Sequence, residues 1–343
     1  RDLVRSRGLG DVYKRQIMHM ADALVSPAVA GVAAVVSVSL LVVAAKKIRK
    51  ESSDSSVVPL MGVMGAFIFA AQMINFTIPG TGSSGHIVGG ILLGAILGPW
   101  AALLTLASVL VVQCLIFADG GLMALGCNIL NMGVVSTLIA YPLVFKPIMG
   151  HGTSTWRMIV ASITASVVGL ELGAVLVTLE TELSGVTALP TGDFLALMTS
   201  IHLFIGIGEG LATAAVLYFV LRYKPSLLEC RAEAGAGHRG HYGKAAIVFI
   251  SIALLLGVAF TWIASSNPDG LEWSIENLTG SSELTGGVGS KVADTLAGVQ
   301  STTSLLPDYD STWSGIIGCL VVVAIVWVVA SLLGRHQSVG SKA

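Results

Sequence analysis

Two histidines offer this sequence its clearest chemistry. His19 directly follows Met18, and His86 lies in the run Phe76-Thr77-Ile78-Pro79-Gly80-Thr81-Gly82-Ser83-Ser84-Gly85-His86-Ile87-Val88-Gly89-Gly90. A histidine placed after a residue with a free amine presents that amine, its own backbone amide and its imidazole, which close fused chelate rings round one cation. His86 supplies a fourth nitrogen. Nitrogen-rich, planar or tetragonal coordination suits Ni(II), Cu(II) and low-spin Co(II) better than Mg(II) or Ca(II). The amine has to be that of Met18, because an amide nitrogen behind residues 1–17 cannot replace it. Those residues are polar and basic and lack the apolar core of a signal peptide. They are expected to be foreign to the native product, a disordered tail being the alternative.

The elements that must position these groups are membrane helices. With 54% hydrophobic and 11% charged residues and a mean hydropathy of +0.83, the chain is expected to be an all-α polytopic membrane protein. A net charge of −1 argues against nucleic acid as a partner. Cys114, Cys127, Cys230 and Cys319 form no CxxC pair, so neither a disulfide framework nor a cysteine metal cluster is expected. Apolar segments at 27–45, 57–78, 86–97, 100–118, 122–145, 157–179, 194–221, 245–264 and 313–333 predict about nine crossings. The third falls short of the ~20 residues a full span needs and reads as a broken helix beside the glycine-rich loop.

Charge between the segments sets an orientation. Lys46, Lys47, Arg49 and Lys50, then Lys146 and Arg157, then Arg222, Lys224, Arg231, Arg239 and Lys244, then Arg335 and Lys342, all fall on one side. The opposite loops carry Asp119, Glu180, Glu182, Asp193 and seven acids between Asp269 and Asp310, with Lys291 as their one Lys or Arg. By the positive-inside rule Met18, His19 and His86 face outward and the C-terminus lies in the cytoplasm. Residues 223–244 read as a cytoplasmic linker. It separates a domain at 18–222 from a two-helix module at 245–343 with a polar outer loop.

Polar and small residues inside the spans carry further expectations. Glu171, His202 and Glu209 are costly in lipid and read as a buried hydrogen-bonded network, with a proton relay or second ion site as the rival. Gly62, Ala66 and Ala70 recur every fourth residue and offer a small-residue face to a partner helix, or to a helix of the same chain. Asp119-Gly120-Gly121 is expected to make a tight outer turn, contact with an arriving ion being its less favoured role.

Five ordered runs resemble the CbiM/NikM family, the substrate-specificity components of energy-coupling-factor cobalt and nickel importers. They are Met18 to Pro27, Gln72 to His86, Leu97-Gly98-Pro99-Trp100-Ala101-Ala102, Asp119 to Asn128, and His202-Leu203-Phe204-Ile205-Gly206-Ile207-Gly208-Glu209-Gly210. Pro268-Asp269-Gly270-Leu271-Glu272 resembles the PDGLE module, akin to the accessory CbiN/NikN component. The resemblance implies a bundle of about seven helices, the S-component, plus two C-terminal transmembrane helices. It implies metal ligands at Met18, His19 and His86, with Gln72, Asn75, Ser83 and Ser84 supporting them or ordering the loop. It implies transported Co(II) or Ni(II), no permanently bound cofactor, and placement in a bacterial or archaeal plasma membrane. The implied partners are a transmembrane coupling subunit (EcfT/CbiQ-like) and two cytoplasmic ATPases (EcfA/CbiO-like).

Two rivals stand beside that reading. A proton-driven secondary metal transporter would work through Glu171 and Glu209. A rhomboid-like protease would use Ser84, in the Gly82-Ser83-Ser84-Gly85 run, with His202 as its base.

Overall fold

The computed structural model describes residues 19–51, 57–152, 154–229, 243–281, 291–309 and 313–334. Met18, the residues before it, Cys230, Arg231, Arg239, Glu283, Asp310, Arg335 and Lys342 lie outside the described residues. The architecture is helical, with one small hairpin. In chain order the elements are α1 (Pro27–Glu51), α2 (Val57–Gln72), β1 (Phe76–Ile78), β2 (Ser83–Gly85), α3 (Gly90–Leu97), α4 (Pro99–Phe117) and α5 (Leu125–Met149). They continue with α6 (Thr155–Ser184), α7 (Thr191–Tyr223), α8 (Gly243–Ile263), α9 (Gly270–Thr279), α10 (Lys291–Thr303) and α11 (Ser314–Gly334).

Five of these helices, α1, α4, α5, α6 and α7, are long and apolar enough to cross a membrane. Val57–Gln72, Lys244–Ala259 and Ser314–Val329 are shorter apolar helices. The chain is an all-α polytopic membrane protein, and a helix stands in each of the nine apolar segments. Val32, Val35 and Val38 of α1 point out of the bundle, as side chains solvated by lipid do.

The segment around His86 departs most from expectation. The predicted second helix, 57–78, stops at Gln72, and Phe76–Ile78 pairs antiparallel with Ser83–Gly85. The residue before a proline is driven to extended backbone, so Ile78 ahead of Pro79 cannot stay helical. Gly80 and Gly82, at φ 79° and 75°, then close the turn in a region other residues avoid. The third helix starts at Gly90 rather than 86, because Gly89 is left-handed at φ 79°. Its eight residues reach about 12 Å, well short of the ~30 Å hydrocarbon core. Gly98 then turns the chain into α4, with Pro99 at the first helical position.

Helix α5 carries a π-helical stretch over Ile129–Phe145 that includes Pro142. The imino acid cannot complete a regular ladder there. Helices α6 and α7 cross closely, since a Cβ on Gly210 would sit 2.4 Å from Ile163 Cα and one on Gly206 2.8 Å from Val167 Cα. At the linker end of the bundle Tyr141 donates to Glu229 at 2.6 Å, and Lys146 pairs with Glu229 at 3.1 Å. These bonds tie the segment after α7 to α5.

The C-terminal helices α8 and α11 pack on α2 and on each other. Gly62 faces Val323 of α11, and Cys319 donates to the Ala66 carbonyl at 3.4 Å. Ala70 is buried. The small-residue face of α2 is thus used within the chain, against its own last helix.

Replacing Gly210 by Ala drives a methyl into the α6 backbone and is expected to lower stability by about 1–3 kcal/mol. Gly192→Ala, with nothing within 4 Å of the added carbon, is expected to leave stability unchanged. Thermal unfolding in detergent compares the two.

Candidate metal centre

His19 is held by a short turn between the end of α4 and the start of α5. Asn128 grips the next residue on both sides, its Oδ1 accepting from Met20 N at 3.0 Å and its Nδ2 donating to Met20 O at 3.2 Å. Gly121 N donates to the same carbonyl at 3.0 Å, and Asp22 Oδ1 accepts from Ala124 N at 2.9 Å. Where the sequence predicts a tight turn at Asp119-Gly120-Gly121, the chain bends at Gly120, φ 80°, and the turn follows at 122–124. A Cβ on Gly120 would lie 2.7 Å from the His19 Cβ, and one on Gly121 would strike Asp22. Both glycines let the loop lie directly on the His19 segment.

The turn also delivers Asp119 to His19. His19 Nδ1 lies 2.9 Å from Asp119 Oδ1, with both side chains almost wholly buried. Tyr309, from the far end of the C-terminal module, donates to Asp119 Oδ2 at 2.8 Å. Burial alone would raise the Asp119 pKa. The His19 imidazole facing it and the hydrogen bond from Tyr309 outweigh that penalty and hold it below the usual carboxylate range. The ring has two buried nitrogens, Nδ1 toward Asp119 and Nε2 away from it. That buried Nε2 has no hydrogen-bond partner among the described residues.

His86 stands next to it. The two imidazole centroids are 5.6 Å apart at an interplanar angle of 49°, close enough for one ion to touch both rings. Both line a cavity of about 720 Å³ of empty space, counting its open mouth, which runs between α5, α6 and α7 past Asn131, Met198 and His202. Asp269 and Gly270 complete its wall. Burial, with the Asp119 charge nearby, pushes the Asp269 carboxyl up to about 7. Among the described residues no three His, Cys, Asp or Glu side chains converge into a cation site.

The residues expected to support the ligands or order the loop make the following bonds. Gln72 Nε2 donates to the Val88 carbonyl at 2.8 Å. Ser84 donates its backbone N–H to Pro268 O and its hydroxyl to Asn267 O, each at 2.8 Å, and the Ser83 hydroxyl reaches Pro268 O at 3.3 Å. Asn75 acts through its carbonyl, which accepts from Ser265 N at 2.8 Å. The expected network of Glu171, His202 and Glu209 is not one network. His202 Nδ1 bonds the Met198 carbonyl of its own helix at 2.7 Å, and Glu209 bonds the Val88 and Gly89 amides. Glu171 is half-buried on α6, facing partly outward. Residues seven apart on a helix lie about 10 Å apart along its axis, too far for His202 and Glu209 to meet.

Sequence reasoning gave no role to Asn128, Tyr309 or Gln300, which donates to the Gly120 carbonyl at 2.7 Å. Asn128 closed a recognised run and could have been singled out; Tyr309 and Gln300 sit in a polar loop with no local signal.

Removing the Asn128 side chain in Asn128→Ala frees the Met20 peptide. It is expected to weaken Ni(II) or Co(II) binding by about 10–100-fold, the usual cost of losing a group that orients a ligand. Calorimetric titration reads the affinity, and unchanged circular dichroism shows that the fold survives.

Residues 19–227 match the family model described as the cobalt uptake substrate-specific transmembrane region, CbiM, and residues 243–335 match the PDGLE domain. The putative fused nickel transport protein NikMN of Archaeoglobus fulgidus is 30% identical over 308 residues, covering 90% of this chain and 96% of that one. The cobalt transport protein CbiM of Sorangium cellulosum is 30% identical over 186 residues, 53% of this chain and 80% of its own. A solved structure of a transition metal transporter aligns with a TM-score of 0.53 at 30% identity, covering 60% of this chain and 93% of that one. The chain is a metal transport protein of the CbiM family, with a PDGLE domain at its C-terminal end.

Proposed function

We propose that this chain is the substrate-binding membrane component of an energy-coupling-factor importer, capturing Ni(II) or Co(II) at the outer face. The observation that carries the reading is the His19–His86 pair, 5.6 Å apart at a cavity wall, with a buried carboxylate behind one ring. In a chain that begins at Met18, the four-nitrogen set is the Met18 amine, the His19 amide and imidazole, and the His86 imidazole. Closing a chelate ring through the His19 amide uses Nδ1, the nitrogen 2.9 Å from Asp119 Oδ1. The ion takes the Nδ1 lone pair while the ring proton resides on Nε2, the His19 amide gives up its proton to water as it ligates, and Asp119 stands as a negative charge beside the cation. Hydrated ions enter from the side where acidic loops predominate, which the positive-inside rule assigns to the exterior.

Transport then needs no bond chemistry in this chain. The sequence has no Gly-x4-Gly-Lys-Ser/Thr phosphate loop, so ATP hydrolysis falls to two cytoplasmic ATPases, linked through a transmembrane coupling subunit. The proton-driven alternative is disfavoured because both Glu209 oxygens are committed to backbone amides. A Ser84 nucleophile is disfavoured because its hydroxyl donates to the Asn267 and Pro268 carbonyls. The C-terminal module covers the hairpin, Trp273 donating to the Thr81 carbonyl at 3.0 Å, and we assign it the role of holding the loaded loop.

Two forms of the protein, the sequence in full and one beginning at Met18, decide the ligand set. Tight one-to-one Ni(II) or Co(II) binding is expected in the Met18 form, with at least a hundred-fold loss in His19→Ala and in His86→Ala. Equal affinity in both forms would remove the Met18 amine from the site, and binding that survives both substitutions would overturn the reading.

A further inference from the structure

Glu209 is a carboxylate inside a membrane helix with no cation to balance it among the described residues. It is 1% exposed, and such residues ordinarily mark an ion or proton path. Its surroundings give it a different task. Oε2 accepts from Val88 N at 2.9 Å and Oε1 from Gly89 N at 3.0 Å. The carboxylate therefore spans two consecutive amides just ahead of α3, where the helix dipole also favours negative charge. From the opposite side Gln72 of α2 donates to the Val88 carbonyl at 2.8 Å. The Val88 peptide is gripped at both ends by side chains from different helices, two residues beyond His86.

The rest of that α7 face carries the hairpin. Ile205 lies under Gly85, where a Cβ would come within 2.6 Å of it, and a Cβ on Gly208 would lie 2.7 Å from the Phe76 ring, so glycine there leaves that ring its room. Positions 205, 208 and 209 share one face of the helix, so β1, β2 and the segment after His86 all rest on it. Gly89 is left-handed and packs on Ile68, so the backbone has no room to shift there.

We infer that Glu209 is a positioning residue for metal capture: by clamping the Val88 and Gly89 amides it fixes where α7 presents His86 to the ion. The carboxylate is suited to this as no amide is, since it accepts at both oxygens, whereas a glutamine would turn an NH2 group toward one of the two N–H donors. The inference rests on the His19–His86 reading for its consequence, and on hydrogen bonding alone for the clamp.

The test uses the full chain carrying Glu209→Gln, with Glu171→Gln as a carboxylate control that touches neither hairpin nor histidines. In metal-free protein, amide hydrogen exchange at Val88 and Gly89 is expected to quicken at least ten-fold in Glu209→Gln and to stay unchanged in Glu171→Gln. This readout does not depend on any metal, so it stands or falls separately from the ligand assignment. In the same proteins Ni(II) affinity is expected to fall about 10–100-fold in Glu209→Gln, with a shifted ligand-field absorption band that reports altered His86 placement. Unchanged exchange at 88 and 89 would overturn the clamp. Quickened exchange with unaltered affinity and spectrum would overturn the link to His86. Unaltered binding with abolished uptake would overturn it in favour of proton coupling.

Discussion

A stretch of non-helical backbone inside a bundle of apolar helices must find a partner for every buried N–H and C=O, because neither lipid nor a dry core supplies one. Residues between Gln72 and Gly90 are that stretch. Each amide or carbonyl left unpaired would cost about 1–3 kcal/mol, so the polar residues of the neighbouring helices are spent on it. Gln72 takes the Val88 carbonyl, Glu209 takes the Val88 and Gly89 amides, and two hairpin strands satisfy one another. Further groups are met from the C-terminal module: Ser265 N donates to Asn75 O, Pro268 O accepts from Ser84 N, and Trp273 donates to Thr81 O. The position of His86 is a consequence of this accounting.

The same constraint joins the two parts of the chain. The module does more than add two helices beside α2. Its segment ahead of α9 bonds along the hairpin, Gly270 fits against Ile205 and His202 with no space for a side chain, and Asp269 caps α9 by accepting from Glu272 N at 2.8 Å. The Pro-Asp-Gly run therefore has a local explanation: carbonyls for Ser83 and Ser84, a helix cap, and a close approach. At the other end of the module Gln300 and Tyr309 support the turn that brings Asp119 to His19. Both histidines are thus braced by residues far away in sequence.

The sequence made the helices legible because membrane spans announce themselves by length and apolarity, and α4, α5, α6 and α7 lie close to their predicted bounds. It misplaced the end of α2 because Ala70 to Ile78 is apolar enough to read as helix, while Pro79 and the αL glycines decide the backbone a turn later. His19, His86, Gln72 and the Ser83-Ser84 pair were legible through the spacing of polar residues in an apolar chain and through family resemblance. Tyr309 and Gln300 were not, since an aromatic or amide in a polar loop carries no sign of its target some 180 residues away. Glu171, His202 and Glu209 were grouped on one helical argument, but burial gave each a different nearest partner. Sequence spacing fixes a face of a helix and not what packs against it.

The central claim is that one Ni(II) or Co(II) sits between His19 and His86 within a set of nitrogen donors. X-ray absorption at the nickel edge, on protein beginning at Met18 and loaded with one equivalent, measures this most directly. The account predicts a four-coordinate, nitrogen-dominated shell with metal–ligand distances of about 2 Å and scattering from two imidazoles, one of which disappears in His86→Ala. A six-coordinate oxygen shell, or two-imidazole scattering that persists in His86→Ala, would contradict it.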